Sequence, residues 1–400
     1  MMSYVAMDRL IERKAASDAK YRKELGGRPL RSHARRSTDA ELLEKLRSFE
    51  IQLDRPSLER LCERALSAQE IAQSLMAGRR FTNRHQEMES DWVWICVDGL
   101  WRRWFPEMPS FERLDDRMQS GYELLAARQT TAAARVWLEA WSDALFLLRK
   151  DRIESIEEFD VRFRGTQSLF NWVQDLESEL WNAGLQDRQF LRARIDVCGQ
   201  LLEHFALGED LITENLRRAL ADSHYELGET DRAEALYRDW LTADPQWGWG
   251  WIGWSDCHRF TRTESKDLNR AEELLCEGFA ITEVRDRPDI AERLADLCEE
   301  QGRCGEAIEI RKQIRKTAPA VRRRLASTEA GPSCGKRPRL RSAMEVCRWI
   351  SCQLLVLFCG RVRLKSQLPP KRLGEMNCVH AVAGRSSKDV AAAVCDNRGR

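Results

Sequence analysis

Four hundred residues suffice for two or three ordinary domains, and 43% apolar with 32% charged residues is the composition of a globular chain with a sizeable core. The longest apolar run, Trp349 to Cys359, is broken by Ser351 and Gln353 and falls short of the ~20 residues a bilayer-spanning helix needs. The net charge of +1 hides an asymmetry: residues 321–400 carry 17 Lys/Arg against 5 Asp/Glu (+12), and residues 1–320 carry 48 against 59 (−11). Met1 to Arg13 already hold Asp8 and Glu12 and lack an apolar leader core, so a cytoplasmic chain is expected. Thirteen cysteines without a C-x-x-C or C-x-C pair read as small buried apolar residues of a reducing compartment.

Residues 1–37 are basic, polar and poor in large aliphatics, and Gly26-Gly27-Arg28-Pro29 interrupts any helix, which predicts a disordered basic lead-in. Ser37, Thr38 and Asp39 ahead of Glu41, Leu42, Leu43 and Leu46 form a capped helix start. Asp54-Arg55-Pro56-Ser57 opens a second helix through Leu58, Leu61 and Leu66, and Asp91 a third through Trp92, Trp94, Ile95, Leu100 and Trp101, stopped by Pro106. Phe111 to Ala127 and Thr131 to Lys150, joined by three polar residues, are expected to fold back on each other. Gln167 to Ala183 sets Leu169, Phe170, Val173, Leu176, Leu180 and Trp181 on one broad face before Gly184.

From residue 213 to 319 the sequence repeats itself. Leu220-Ala221 lead to Gly228, Ala233, Tyr237 and Pro245; Leu294-Ala295 lead to Gly302, Ala307 and Pro319, each proline following its glycine at the same distance. Trp251, Trp254, Ala271 and Leu275 make a middle copy whose turn, around Arg262 to Ser265, is longer by about four residues. A degenerate copy runs from Gly121 through Ala133, Trp137 and Ala140. The spacing describes a helix, a tight turn and a second helix, with alanine at the close approach, a larger residue filling the gap to the next pair, and proline as the stop. A single pair leaves one apolar face open, so consecutive pairs must stack.

These residues resemble the tetratricopeptide repeat. Ala219-Leu-Ala-Asp-Ser-His-Tyr-Glu-Leu-Gly-Glu-Thr-Asp and Asp244-Pro-Gln-Trp-Gly-Trp-Gly-Trp-Ile-Gly-Trp-Ser-Asp-Cys257 look like a group of bacterial tetratricopeptide-repeat proteins that usually end in a SEC-C zinc motif. The likeness spans residues 38–319. Gly331-Pro332-Ser333-Cys334-Gly335-Lys336 matches only part of that ending, with proline at the first ligand position, so zinc binding is not transferred. The implied fold is an all-α, TPR-like helical-hairpin solenoid: a helical region of degenerate hairpins over 38–212, repeats over 213–319 and a poorly ordered basic tail over 320–400. A shifted reading frame is a second explanation of the tail's composition.

In this family the first helices of the hairpins line a concave peptide groove. The resemblance places there Asn215, Arg218, Asp222, Tyr225 and Glu226, then Trp249, Ile252, Asp256, Arg259 and Phe260, then Asp289, Glu292, Asp296, Glu299 and Glu300. Eight of the fifteen are carboxylates and two are arginines, so the expected ligand is a basic peptide or protein segment, with the chain's own basic tail as an internal competitor. Tyr225, Phe260 and the surface around Trp249 with Ile252 would supply apolar anchorage, while Trp251 and Trp254, at helical spacing, are expected to be core. The alternative is a nucleic-acid-associated or metal-linked accessory protein acting through Arg322-Arg323-Arg324 and the later tail arginines.

No catalytic signature stands in the sequence, and neither enzyme activity nor a cofactor is expected. The six histidines form no H-E-x-x-H, no G-x-x-x-x-G-K-[ST] or G-x-S-x-G occurs, and adjacent carboxylates such as Asp115-Asp116 and Glu157-Glu158 point apart on a helix. His224 and His258 occupy equivalent repeat positions and read as packing.

Overall fold

A computed structural model of the chain describes residues 3–79, 84–205, 210–262 and 266–313, and among these every regular element is an α-helix. The N-terminal group comprises α1 (Tyr4–Ser17), α2 (Ala19–Glu24), α3 (Arg31–Arg36), α4 (Asp39–Arg47), α5 (Arg55–Arg64), α6 (Ala68–Leu75) and α7 (Arg84–Trp104). Next come α8 (Phe111–Ala126), α9 (Thr130–Lys150), α10 (Ile156–Phe163), α11 (Leu169–Gly184) and α12 (Gln189–His204). The last group is α13 (Asp210–Glu226), α14 (Thr230–Ala243), α15 (Gly248–Phe260), α16 (Leu268–Ala280), α17 (Arg287–Glu300) and α18 (304–313). The expected basic tail over 320–400, Pro319, the partial zinc-type ending and most of the Arg262 to Ser265 turn lie outside the described residues.

Local signals fix the predicted starts. Thr38 Oγ1 accepts from Glu41 N at 3.2 Å while Glu41 Oε2 accepts from Thr38 N at 2.7 Å, a reciprocal cap on α4. Asp54 Oδ1 accepts from Ser57 N at 2.8 Å and Pro56 sits in the first turn of α5, where its missing N–H has no helical partner to lose. The third predicted helix begins earlier than Asp91, at Arg84.

Residues 1–37 correct the sequence reading. Instead of a disordered lead-in, α1 and α3 dock on the rest of the chain, with Val5 and Ala34 buried in the core formed by α4 to α7. Arginines hold them there. Arg31, 5% exposed, pairs with Asp98 at 2.9 Å and Asp116 at 2.7 Å; Arg28 reaches Asp91 at 3.0 Å, and Arg9 reaches Asp115 at 2.9 Å. Low hydrophobicity signals disorder only when no complementary surface exists, and here α7 and α8 supply one.

Downstream, helices pack as neighbouring pairs, α8 with α9, α11 with α12, α13 with α14, α15 with α16 and α17 with α18, in an all-α, solenoid-like stack. The repeat glycines act at the turns. Gly228 (φ 75°) and Gly302 (φ 79°) are left-handed, and each turn closes with the same bonds: Gly228 N to Tyr225 O and Glu229 N to His224 O, then Gly302 N to Glu299 O and Arg303 N to Cys298 O, at 2.8–3.0 Å. Five residues on, Ala233 and Ala307 are fully buried, and Tyr237 and Leu275 plug the gaps beneath the following pairs at 0% and 1% exposure.

The degenerate copy has the same geometry with a different residue at its turn. Arg128 (φ 60°) takes the glycine's place, with Arg128 N to Leu125 O at 2.8 Å and Gln129 N to Leu124 O at 2.9 Å. Ala133 and Trp137 then follow Arg128 at the spacing by which Ala233 and Tyr237 follow Gly228. Gly121 belongs to the packing instead: a Cβ there would collide with the Trp137 indole, whose Nε1 donates to Met118 O at 2.9 Å.

Candidate functional site

The first helices α13, α15 and α17 lie side by side, each flanked by the next, and repeat position decides what their side chains do. An aspartate recurs on all three, at Asp222, Asp256 and Asp296. Fifteen residues beyond each terminal member lies its partner on the second helix: Tyr237 Oη donates to Asp222 Oδ1 at 2.7 Å, and Arg311 Nη2 donates to Asp296 Oδ1 at 2.6 Å. In the middle pair, whose turn is about four residues longer, the equivalent residue is Leu275, which has no donor, and Asp256 instead faces Arg293 of α17 at 3.7 Å.

Of the fifteen predicted groove residues, the neighbouring helices remove several from any surface. Ile252 is 0% exposed, Tyr225 6%, Arg259 8% and Glu226 9%, so Ile252 in particular is core and anchors no ligand. Tyr225 Oη instead meets His258 Nδ1 at 3.2 Å, and His258 Nε2 lies 2.8 Å from Glu234 Oε1, which occupies both ring nitrogens. Asn215, Arg218, Asp222, Trp249, Asp256 and Asp296 are half-buried; Phe260, Asp289, Glu292, Glu299 and Glu300 are exposed. Trp251, Trp254 and Trp247 are buried, with Trp254 stacked on Tyr237 at 6.0 Å.

The carboxylates are largely balanced within the chain. Arg311 spans Glu292 at 2.8 Å, Asp296 at 2.6 Å and Glu299; Glu300 pairs with Arg259 at 2.8 Å and stands 3.8 Å from Lys266. Burial pushes the Asp256 carboxyl above its ordinary range against the pull of Arg293, Arg218 and Arg259, and burial likewise raises Glu226. Arg218 crosses from α13 to lie over Trp249, its Cζ 5.2 Å from the ring centroid. Burial opposes its charge, and the carboxylates of Asp222 and Asp256 hold it charged. Its Nε is buried without a hydrogen-bond partner. The missing side chain of Gly253 is what admits the crossing, since a Cβ there would lie 2.9 Å from Arg218 Nε and 2.6 Å from Tyr237 Oη.

Sequence reading missed Arg293, Arg311 and Gly253. Arg311 was legible, because it stands at the Tyr237 register after an aspartate; Arg293 falls between the expected groove positions and shows itself only in three dimensions. Elsewhere, Cys62, Cys96 and Cys198 are buried with thiols pushed up to about 12 by desolvation, as packing groups rather than nucleophiles. Two surface cavities of about 380 and 400 Å³ lie away from these helices, one over Ile156, Asp160 and Phe170, the other over Trp101, Phe105 and Arg113. Among the described residues no helix is long and apolar enough to cross a membrane. No family model matches the chain, and the search of curated proteins returns no similar one.

Proposed function

We propose that this chain is a non-enzymatic, TPR-like binding module of a reducing compartment such as the cytoplasm, holding a basic peptide or protein segment noncovalently across α13, α15 and α17. The observation that supports this reading is the recurrent aspartate of Asp222, Asp256 and Asp296 on three adjacent helices, continued by the exposed Asp289, Glu292, Glu299 and Glu300 and flanked by the Phe260 ring at 37% exposure. The chain's own cations set the terms of binding: Arg293 and Arg311 occupy the carboxylates, so an incoming lysine or arginine must exchange with them. Such exchange gives modest affinity and strong dependence on salt, as screening at about 8 Å in physiological buffer weakens exposed pairs.

Titration calorimetry of the full chain with an arginine/lysine-rich synthetic peptide, against an acidic peptide of equal length, tests the reading. Arg311→Ser is expected to tighten binding of the basic peptide at low salt by freeing three carboxylates, and Glu292→Lys with Glu299→Lys to weaken it. Binding indifferent to both changes would overturn the proposal.

A further inference from the structure

Three arginines line one surface cavity of about 400 Å³: Arg102 in the last turn of α7, and Arg113 and Arg117 one turn apart on α8. They keep 20–31% of their side chains accessible. Phe105 and Met108 supply apolar lining, and the segment that carries them is fastened at several points: Trp101 Nε1 donates to Met108 O at 3.0 Å, Met108 N to Phe105 O at 3.0 Å, and Arg113 Nη1 to Pro106 O. The cavity is therefore formed in advance of any ligand. Its charges do not cancel. Arg102 is spent on Asp98 at 2.8 Å and Asp116 at 2.9 Å, and its remaining nitrogen is closed off from solvent. Arg113 and Arg117 share a single oxygen of the buried Asp143, at 3.1 and 2.5 Å. Arg117 also stands 3.1 Å from Glu139, but that side chain is 62% accessible and water screens it. Arg113 Nη2 has no acceptor among the described residues and, unlike Arg102 Nη2, is open to solvent. The cavity thus offers an open guanidinium edge and an excess of about one positive charge beside apolar surface. A carboxylate matches both, since its two oxygens fit that edge and its single charge matches the excess. A phosphate monoester, with nearly two negative charges, would leave one facing Asp143, Glu139 and the exposed Glu107 on the cavity lining.

We infer that this cavity binds a small organic monocarboxylate, with the carboxylate on the Arg113 and Arg117 guanidinium groups and the apolar body against Phe105 and Met108. The site uses α7, α8 and the segment between them, and it does not depend on α13, α15 and α17 being a peptide groove.

Titration of the full chain, isotope-labelled at its methionine methyl groups, with phenylacetate tests it by nuclear magnetic resonance, with phenethyl alcohol, phenethylamine and phenyl phosphate as controls. Phenylacetate is expected to shift the Met108 methyl signal, identified by its loss in Met108→Leu, and to bind about tenfold more tightly than the alcohol or the amine. Arg117→Gln, which leaves Asp143 its bond to Arg113, should weaken phenylacetate about tenfold. Glu107→Gln should strengthen it about threefold. Glu107 makes no ion pair or hydrogen bond among the described residues, so a gain there cannot come from a damaged fold. Equal binding of acid and alcohol, an unmoved Met108 signal, or an affinity unchanged by Arg117→Gln and Glu107→Gln overturns the inference. Phenyl phosphate binding more tightly than phenylacetate overturns the assignment to a monocarboxylate.

Discussion

Two helical glycines separate close packing from simple helix propensity. Gly199, within α12, has nothing within 4 Å of where a Cβ would go, so Gly199→Ala should gain the usual helix preference and stabilise the chain by about 0.5–1 kcal/mol. Gly253→Ala gains the same preference, but its Cβ would sit 2.6 Å from Tyr237 Oη and 2.9 Å from Arg218 Nε. The hydroxyl cannot retreat cheaply, because Tyr237 is fully buried and bonded to Asp222 at 2.7 Å. Overpacking costs about 1–3 kcal/mol. Weakening a hydrogen bond to a charged group adds about 1.5–3 kcal/mol. Against a gain near 1 kcal/mol, the net loss should be about 1.5–5 kcal/mol. Urea unfolding followed by tryptophan fluorescence measures both variants, and Tyr237→Phe in the Gly253→Ala background should recover part of the loss by removing the nearer clash. If Gly253→Ala stabilises the chain as much as Gly199→Ala does, the packing assigned to Arg218 and Tyr237 is wrong.

Further outcomes follow from the N-terminal clasp and the turns. Arg31→Met leaves Asp98 and Asp116 short of a partner and should cost about 3–5 kcal/mol, with faster proteolysis within residues 3–36; a loss under about 1 kcal/mol would contradict the clasp. Asp8 is raised to about 7, first by burial and then by Glu12, against the pull of Arg31 and Arg35. A carboxyl whose folded pKa lies above its unfolded value stabilises the fold at low pH and loses that contribution as pH rises through the folded value. Unfolding midpoints should therefore decline between about pH 4 and pH 7, and Asp8→Asn should flatten that slope. Arg128→Gly places glycine at a left-handed turn and should raise stability by about 0.5–1 kcal/mol by calorimetry, whereas the same change at an ordinary helical position would lower it.

How much of this was legible depends on whether the cause was local. Thr38 with Glu41, Asp54 with Pro56, and Gly228 with Gly302 act within a few residues of themselves, and the sequence shows them plainly. The Arg128 turn was hidden because its flanking contacts, not its own residue type, impose the left-handed backbone, so a search for glycine settled on Gly121. Residues 1–37 were misread for a different reason: counting their charges could not reveal Asp91, Asp98, Asp115 and Asp116 arranged to receive them. At the candidate site, register assigned the residues to the right helices, but exposure depends on neighbours on both sides. That is why Ile252 is covered while Phe260, at the end of its helix, is not.

The succession Tyr237, Leu275, Arg311 at one register carries a consequence for assembly. The first two are oily plugs that a following pair covers; the third is a cation clasping three acids on the last helices described. Any chain segment, from this molecule or a neighbour, that seated itself over α18 would have to strip water from that whole charged knot. A single arginine thus makes this face of the last described pair costly to cover, where the tyrosine and leucine at the same register make theirs favourable.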